Sequence, residues 1–335
     1  MKAIVLKDLG GPEKLLWEEV SDPVPGDGQV LVRLKAAALN HRDAWIRKGL
    51  YANIQLPTIL GSDGSGEVAG VGSGVSTDLL GQAVLINPCL DWGPEIKAQG
   101  PGMRILGMPD NGTYAQMVAV PADNIRPKPA YLSLEEAAAL PLAGMTAYRA
   151  VVTRAQVRSG ETVLITGVGG GVASLALQIT HCLGARTFVT SGSDHKIDRA
   201  RTLGAVGGVN YRDEQWGRKL RRLLQGRPLD VIIDGSGGSV FERALDLIGP
   251  AGRIVTYGAT LGAARQIEVR RIFWKQVTVM GSTMASPQEF DALVQLCSAH
   301  GLRPPIDRVF PLEEAGEAHR RMEDAKQFGK ILLGI

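Results

Sequence analysis

Cysteine is scarce: Cys89, Cys182 and Cys297 are the only three in 335 residues. An odd, unclustered set offers neither a disulfide framework nor the paired CxxC spacing of a structural zinc site, and it fits a reducing compartment. Charge of one sign is also missing. Against 37 Lys and Arg stand 34 Asp and Glu, leaving +3, too balanced a surface for a nucleic-acid binder. No apolar run reaches the roughly 18 residues that span a bilayer, so no membrane partner is expected. The opening Met1-Lys2-Ala3-Ile4-Val5-Leu6-Lys7-Asp8 meets a charge before any apolar core of a secretory signal can form, which predicts a cytoplasmic protein. What is present is 44% hydrophobic and 21% charged residues with 42 glycines. Such a chain can bury a core, is longer than one average domain, and uses glycine for turns and close approaches.

Two rhythms divide it. Up to about residue 125, short β-segments alternate with turns: Ala3 to Lys7, Val30 to Ala37, Gly66 to Val71, Ala83 to Asn87 and Tyr114 to Val120. This spacing predicts a small all-β barrel or sandwich. After Glu161, apolar strands at Val163 to Thr166, Thr187 to Thr190, Gly208 to Asn210, Val231 to Asp234, Arg253 to Tyr257 and Val277 to Gly281 alternate with helical stretches, the pattern of a doubly wound parallel sheet. Ser133 and Glu136 form a capping box for a helix joining the two parts. A helix over Leu312 to Met322 and a terminal strand over Lys330 to Ile335 then return to the first domain. The basic groups Arg218-Lys219 with Arg221-Arg222, and Arg270-Arg271, are read as solvated helix faces.

The strongest motif is Val163-Leu164-Ile165-Thr166-Gly167-Val168-Gly169-Gly170-Gly171-Val172-Ala173. A strand running through glycines into a helix lets backbone N–H groups approach a pyrophosphate, and it nominates Gly169, Gly170, Gly171 and Val172. At the end of the second strand, Thr190-Ser191-Gly192-Ser193 lacks the carboxylate with which NAD sites hold a ribose 2′-hydroxyl. Ser191, Lys196 and Tyr211 instead suit a 2′-phosphate, so NADPH (NADP+) is the expected cofactor; Asp194 is the residue that could serve NAD, or else caps its helix. Gly235, Tyr257 and Gly258, at the ends of the fourth and fifth strands, would border the nicotinamide ribose.

From Met1 to the last strand the chain resembles the medium-chain dehydrogenase/reductase superfamily. The likeness is carried by Asn40-His41-Arg42-Asp43, Gly61-Ser62-Asp63-Gly64, Gly112-Thr113-Tyr114-Ala115, Ala138-Ala139-Leu140-Pro141, Gly144-Met145-Thr146-Ala147-Tyr148 and Met280-Gly281-Ser282-Thr283. It implies an α/β fold with a GroES-like β-barrel domain, residues 1–127 completed by 286–335, and a Rossmann nucleotide-binding domain, residues 128–285. Where the zinc enzymes of the superfamily place Cys, His and Cys, this chain has Asn40, Ser62 and Leu142 or Ala143, so no metal is expected. Asn40 to Asp43 with Gly49-Leu50-Tyr51 resembles the zinc-free quinone oxidoreductase branch. That resemblance implies NADPH-dependent reduction of quinones or of the C=C bond of α,β-unsaturated carbonyls, with Lys196 and Tyr211 on the 2′-phosphate and Lys330 offered in place of a C-terminal Arg.

Without a Lewis acid, conjugated acceptors are the fitting substrates, because they spread the developing charge into an enolate or hydroquinone anion that hydrogen-bond donors can hold. Asn40, Tyr51 and Thr146 are the candidate catalytic residues: Asn40 at the vacated metal position, Tyr51 as donor to the substrate oxygen, Thr146 toward the carboxamide. Asp43 is expected to fix its loop, His41 to sit at the surface, and Trp92 with the Leu90 to Met108 insertion either to overhang the substrate or simply to pack. The apolar stretch Phe273 to Gly281 is read as an edge strand covered by a second copy, hence a homodimer. Two other readings stay open: an NADPH-binding sensor with little turnover, and an enoyl-thioester reductase using Arg42, Arg47 and Lys48 for coenzyme phosphates.

Overall fold

A computed structural model describes all residues 1–335 and divides the chain into two compact units, Met1–Ala143 with Ser286–Ile335, and Gly144–Ala285. In chain order the first contains β1 (Lys2–Leu6), β2 (Leu15–Glu19), β3 (Gln29–Ala38), α1 (His41–Arg47), β4 (Thr58–Ile59), β5 (Asp63–Val71), β6 (Ala83–Ile86), β7 (Cys89–Leu90), β8 (Arg104–Ile105), β9 (Met117–Pro121), β10 (Ile125–Pro127) and α2 (Leu134–Ala138), and α3 (Pro141–Tyr148) carries the boundary. The second contains β11 (Thr162–Ile165), α4 (Gly171–Cys182), β12 (Arg186–Ser191), α5 (Asp194–Thr202), β13 (Gly207–Asn210), α6 (Trp216–Leu224), β14 (Val231–Asp234), α7 (Gly238–Leu247), β15 (Arg253–Thr256), α8 (Val269–Lys275) and β16 (Thr278–Gly281). The first unit closes with α9 (Pro287–His300), β17 (Ile306–Pro311), α10 (Ala315–Glu323) and β18 (Lys330–Gly334).

In the first unit the main sheet runs β10-β6-β5-β3-β18-β17, with β9 also paired to β3. Strand β3 organises it: Val30, Val32 and Leu34 face a buried cluster with Val68, Val84 and Val118, while Arg33 and Lys35 point to solvent, the period-2 alternation of a sheet with one wet face. As expected, the terminal strand returns here. Leu332, Leu333 and Gly334 pair antiparallel with Ala38, Ala37 and Ala36. The unit boundary falls after Ala143 and not after Pro127. Helix α2, begun by the reciprocal Ser133–Glu136 capping box, packs on β3, β5 and β6, so the joining helix belongs to the β unit.

Sequence reasoning passed over His319 on α10, which is fully buried, packs edge-on to Tyr114 with ring centroids 6.0 Å apart, and has no partner for either ring nitrogen. Burial first, then the Arg47 and Lys48 charges, pull its pKa down to about 3. Below about pH 6.5 the unfolded chain takes up this proton and the native state does not. Stability is therefore expected to fall between pH 6.5 and 3 by up to roughly 1.4 kcal/mol per pH unit from this residue alone. Urea unfolding of His319→Leu across that range should show a flatter acid limb; a limb parallel to that of the unaltered chain would disprove the assignment.

The second unit is a six-stranded, wholly parallel sheet in the order β13-β12-β11-β14-β15-β16. The chain reverses its direction of travel between β12 and β14 on either side of β11, which makes the carboxyl end of β11 the switch point where such sheets bind ligands. One expectation is corrected: Phe273 and Trp274 are not in the edge strand. Glu268 caps Arg270 N, residues 269–275 coil into α8, and Gln276 ends it in a left-handed conformation (φ 54°), so the strand keeps only Thr278–Gly281. The Arg218, Lys219, Arg221 and Arg222 side chains line the exposed face of α6. No helix is long and apolar enough to cross a membrane.

Candidate functional site

In the first unit, the residues nominated at Asn40 converge on one buried polar network. Asn40 caps α1, its backbone N–H donating to Asp43 Oδ2 at 2.9 Å. Its side-chain Nδ2 donates to Asp63 Oδ2 at 3.0 Å and reaches Ala38 O at 3.4 Å. Lys330, 3% exposed, donates from Nζ to Leu39 O at 2.7 Å, Asn40 Oδ1 at 2.7 Å and Asp63 Oδ2 at 2.9 Å. Asp63 Oδ1 accepts the Leu142 N–H at 2.7 Å. Lys330 is thus not a phosphate anchor, as the resemblance implied: β18 registers beside β3 and brings its ammonium into the interior of the β unit, where all three N–H donors are spent.

A second cation lies alongside. Arg42 donates to Ser62 Oγ and Leu106 O at 2.9 Å and to Met108 O at 3.2 Å, and its guanidinium stacks over the Tyr51 ring at 5.3 Å. Ser62 Oγ in turn donates to Leu106 O at 2.7 Å. Asp43, fully buried, accepts from Tyr114 Oη at 2.9 Å and keeps Oδ1, 4.0 Å from Arg42, without a hydrogen bond. Burial raises its pKa, against the pull of Arg42, the Asn40 N–H, Tyr114 and Lys330. The structural role expected of Asp43 holds. Burial and the Asp43 charge push the Tyr114 phenol well up, so it stays a donor. His41 is half-buried, not on the surface, and burial together with the Lys330 charge lowers its pKa.

The donor set does not fit a divalent metal. Asn40 and Ser62 have their oxygens engaged by cations, the Asp63 carboxylate is taken up by the Lys330 ammonium, the Asn40 amide and the Leu142 N–H, and the Lys330 ammonium and Arg42 guanidinium stand among them. Zinc needs thiolate, imidazole or carboxylate ligands. Trp92 is 2% exposed with Nε1 on Glu95 O at 2.8 Å, so it packs inside its loop. The cations considered for a coenzyme thioester are not gathered for one: Arg42 and Arg47 are buried, and Arg47 and Lys48 both pair with Glu323.

In the second unit, Thr166 through Gly170 turn from β11 into α4, whose first turn is Gly171-Val172-Ala173. The first intrahelical bond is Ser174 N to Gly170 O at 2.9 Å, which leaves the preceding N–H groups facing outward from the helix start. At the neighbouring strand end, buried Asp234 accepts from Thr166 Oγ1 at 2.6 Å, Ser236 N at 3.2 Å and Gly237 N at 3.1 Å; its pKa is raised, burial outweighing these bonds. This knot holds the ends of β11 and β14 together. A Cβ at Gly235 would lie 2.5 Å from the Tyr257 ring, so the two nominated residues touch, with Gly258 following.

The tip of β12 is equally close-packed. A Cβ at Gly192 would meet Tyr211 Oη at 2.9 Å and Arg212 Nε at 3.0 Å. Ser191 pairs through its carbonyl with Tyr211 N at 3.0 Å, and Lys196 is half-buried on α5. Asp194, the residue that could have served NAD, accepts from Asn210 Nδ2 at 3.2 Å. Arg212, missed from sequence although it follows Tyr211 directly, brings a guanidinium to the same tip. An open cavity of about 610 Å³ is lined there by Asp194, Asn210, Arg212, Asp213, Lys219 and Arg222, with Lys219 paired to Asp213. Thr146 lies buried on α3. These features fit a dinucleotide: free N–H groups at the switch point, and a strand tip where Arg212 and Tyr211 stand over the bare backbone of Gly192.

Residues 26–130 match the alcohol dehydrogenase GroES-like domain and residues 171–299 the zinc-binding dehydrogenase family. The chain is 37% identical over 94% of its length, and 93% of the relative's, to a zinc-type alcohol dehydrogenase-like protein YogA of Leptosphaeria maculans. It is 30% identical over 99% of both chains to a quinone oxidoreductase of Pseudomonas aeruginosa. A solved NAD-dependent alcohol dehydrogenase superposes with a TM-score of 0.95 at 41% identity, covering 100% of each chain. The chain belongs to the medium-chain dehydrogenase/reductase superfamily, in its quinone oxidoreductase-like branch. It is an oxidoreductase of that family.

Proposed function

We propose that this oxidoreductase works without zinc, passing hydride from NADPH to quinones or to the C=C bond of α,β-unsaturated carbonyls. The observation that carries this reading is the Asn40–Asp63–Lys330 network: where a metal would polarise a simple ketone or alcohol, the chain offers an amide and buried organic cations. Such groups suit an acceptor whose own conjugation disperses the charge. Bound NADPH would supply the hydride. The helix start at Gly171 to Ala173 receives the pyrophosphate, Tyr211 and Arg212 meet the 2′-phosphate, and the Asn40 amide with the Tyr51 hydroxyl faces the charge that develops on the substrate oxygen.

The test is NADPH consumption with benzoquinone, phenanthrenequinone, alkenals and enones, with and without a chelator, and again with NADH. Turnover is expected to be insensitive to chelation and to prefer NADPH by roughly tenfold or more, the yield of one charge-assisted bond. Loss of activity on chelation would overturn the metal-free reading, and tight NADPH binding with no turnover would favour a sensor.

The partner proposed for the sheet edge is a second copy of the chain. Strand β16 pairs on one side only, with β15, and the adjoining α8 exposes Trp274 (83%) and Phe273 (62%). Open edges and large bare aromatics are features that soluble proteins cover. Light scattering after size exclusion should give a dimer that Trp274→Glu converts toward monomer; a monomeric wild-type chain at micromolar concentration would refute this.

A further inference from the structure

We propose that Lys330 is a positioning residue that sets the orientation of the Asn40 amide, so that the amide nitrogen, and not its oxygen, faces the substrate. The proposal rests on the reductase reading, in which Asn40 meets the substrate oxygen, and deepens it.

The argument is one of donors and acceptors. An ammonium donates three hydrogen bonds and accepts none, and Lys330 spends its three on Leu39 O, Asn40 Oδ1 and Asp63 Oδ2. A carboxylate only accepts, and Asp63 Oδ2 takes one Asn40 N–H at 3.0 Å. Both charged neighbours therefore demand the same amide orientation. A flipped Asn40 would point its NH2 at the ammonium and its oxygen at the carboxylate, losing two charge-assisted bonds at a site only 7% exposed for Asn40, 3% for Lys330 and 0% for Asp63.

What this orientation leaves over is the second Nδ2–H. Its only contact is Ala38 O at 3.4 Å, a long bond that a developing oxyanion outcompetes. Because the amide oxygen is bound to a cation, the remaining N–H is also polarised into a better donor. The ammonium does not touch the substrate in this scheme; it acts through Asn40. It reaches Asn40 from 290 residues away in sequence because β18 lies beside β3, Leu332 opposite Ala38.

The test compares the unaltered chain with Asn40→Ala, Lys330→Met, Lys330→Arg and the Asn40→Ala/Lys330→Met pair. It reads steady-state kinetics with an enone or quinone, thermal midpoints as a control for folding, and the side-chain amide signals of the ¹⁵N-asparagine-labelled protein. Lys330→Met is expected to lower kcat by about as much as Asn40→Ala, on the order of 10²-fold for loss of one oriented donor. The KM for NADPH should be unchanged, the double variant no worse than either single, and Lys330→Arg partly restored. Additive losses, a kcat near wild type in Lys330→Met, or a rise in KM for NADPH alone would overturn the proposal, the last pointing to a phosphate anchor. The amide signal that disappears in Asn40→Ala should be one sharp pair in the unaltered chain and shift or double in Lys330→Met; an unmoved pair would also overturn it. Should Lys330→Met fail to fold, Lys330→Gln takes its place under the same criteria. If the unaltered chain reduces none of the acceptors, the reductase reading fails by itself, and the amide spectrum still decides what Lys330 does.

Discussion

Arg212→Glu is expected to cut kcat/KM for NADPH by about 100-fold while leaving that for NADH within about twofold, enough to abolish or reverse the cofactor preference. A charge-assisted bond to a phosphate is lost and a repulsive charge takes its place, whereas a ribose hydroxyl carries no charge to repel. The position is chosen because Arg212 Nε and Tyr211 Oη converge on the bare backbone of Gly192. The alternative acceptor for a ribose hydroxyl, Asp194, already takes one bond from Asn210 through Oδ1 at 3.2 Å. Binding of a 2′-phosphorylated adenosine fragment, followed by calorimetry, separates a lost contact from a damaged catalytic step. If Arg212→Glu discriminates between the two cofactors as the unaltered protein does, Arg212 has no part in reading the phosphate.

Asp63→Leu should cost roughly 3–5 kcal/mol of stability, the range seen when one partner of a buried ion pair is removed. The loss would leave the Lys330 ammonium, 3% exposed, with only neutral acceptors, and would strip the Leu142 N–H and one Asn40 N–H of theirs. Replacing both members, Asp63→Leu with Lys330→Leu, removes the stranded charge and is expected to recover a large part of that stability, because a well-packed apolar pair is often as stable as the ion pair it replaces. Urea unfolding of the single and double variants is the measurement. A single variant within about 1 kcal/mol of wild type, the scale of a surface ion pair, would show that the network does not hold the β unit together.

The local chemistry of the fold was legible before any tertiary structure. Strands β11 to β16, the glycine turn into α4 and the Ser133 capping box are written in neighbouring residues, because hydrophobic period, turn geometry and helix caps are all short-range effects. The return of the last strand to the β unit was also anticipated. Reading Phe273 and Trp274 as strand failed because a short apolar run does not distinguish helix from strand; here the Glu268 cap decided for helix. Within the motif Asn40 to Asp43, the loop-fixing role of Asp43 was legible from its neighbours, whereas the partial burial of His41 was not.

Whether a charged side chain is a ligand-binding group or an internal counter-ion depends on what strand pairing sets beside it. Lys330 is nominated from sequence as a cofactor-binding cation in place of a C-terminal Arg and becomes the centre of a buried network only when β18 pairs with β3. Arg212 reads as one of a scatter of basic residues until β12 and β13 align and put it over Gly192. Composition, periodicity and motif thus established the two kinds of domain and the glycine turn into α4, since those follow from interactions between near neighbours. The pairing of Asn40 with Asp63 and Lys330, and of Gly192 with Tyr211 and Arg212, had to await folding, because long-range contacts alone settle which charges are desolvated and which donors remain free.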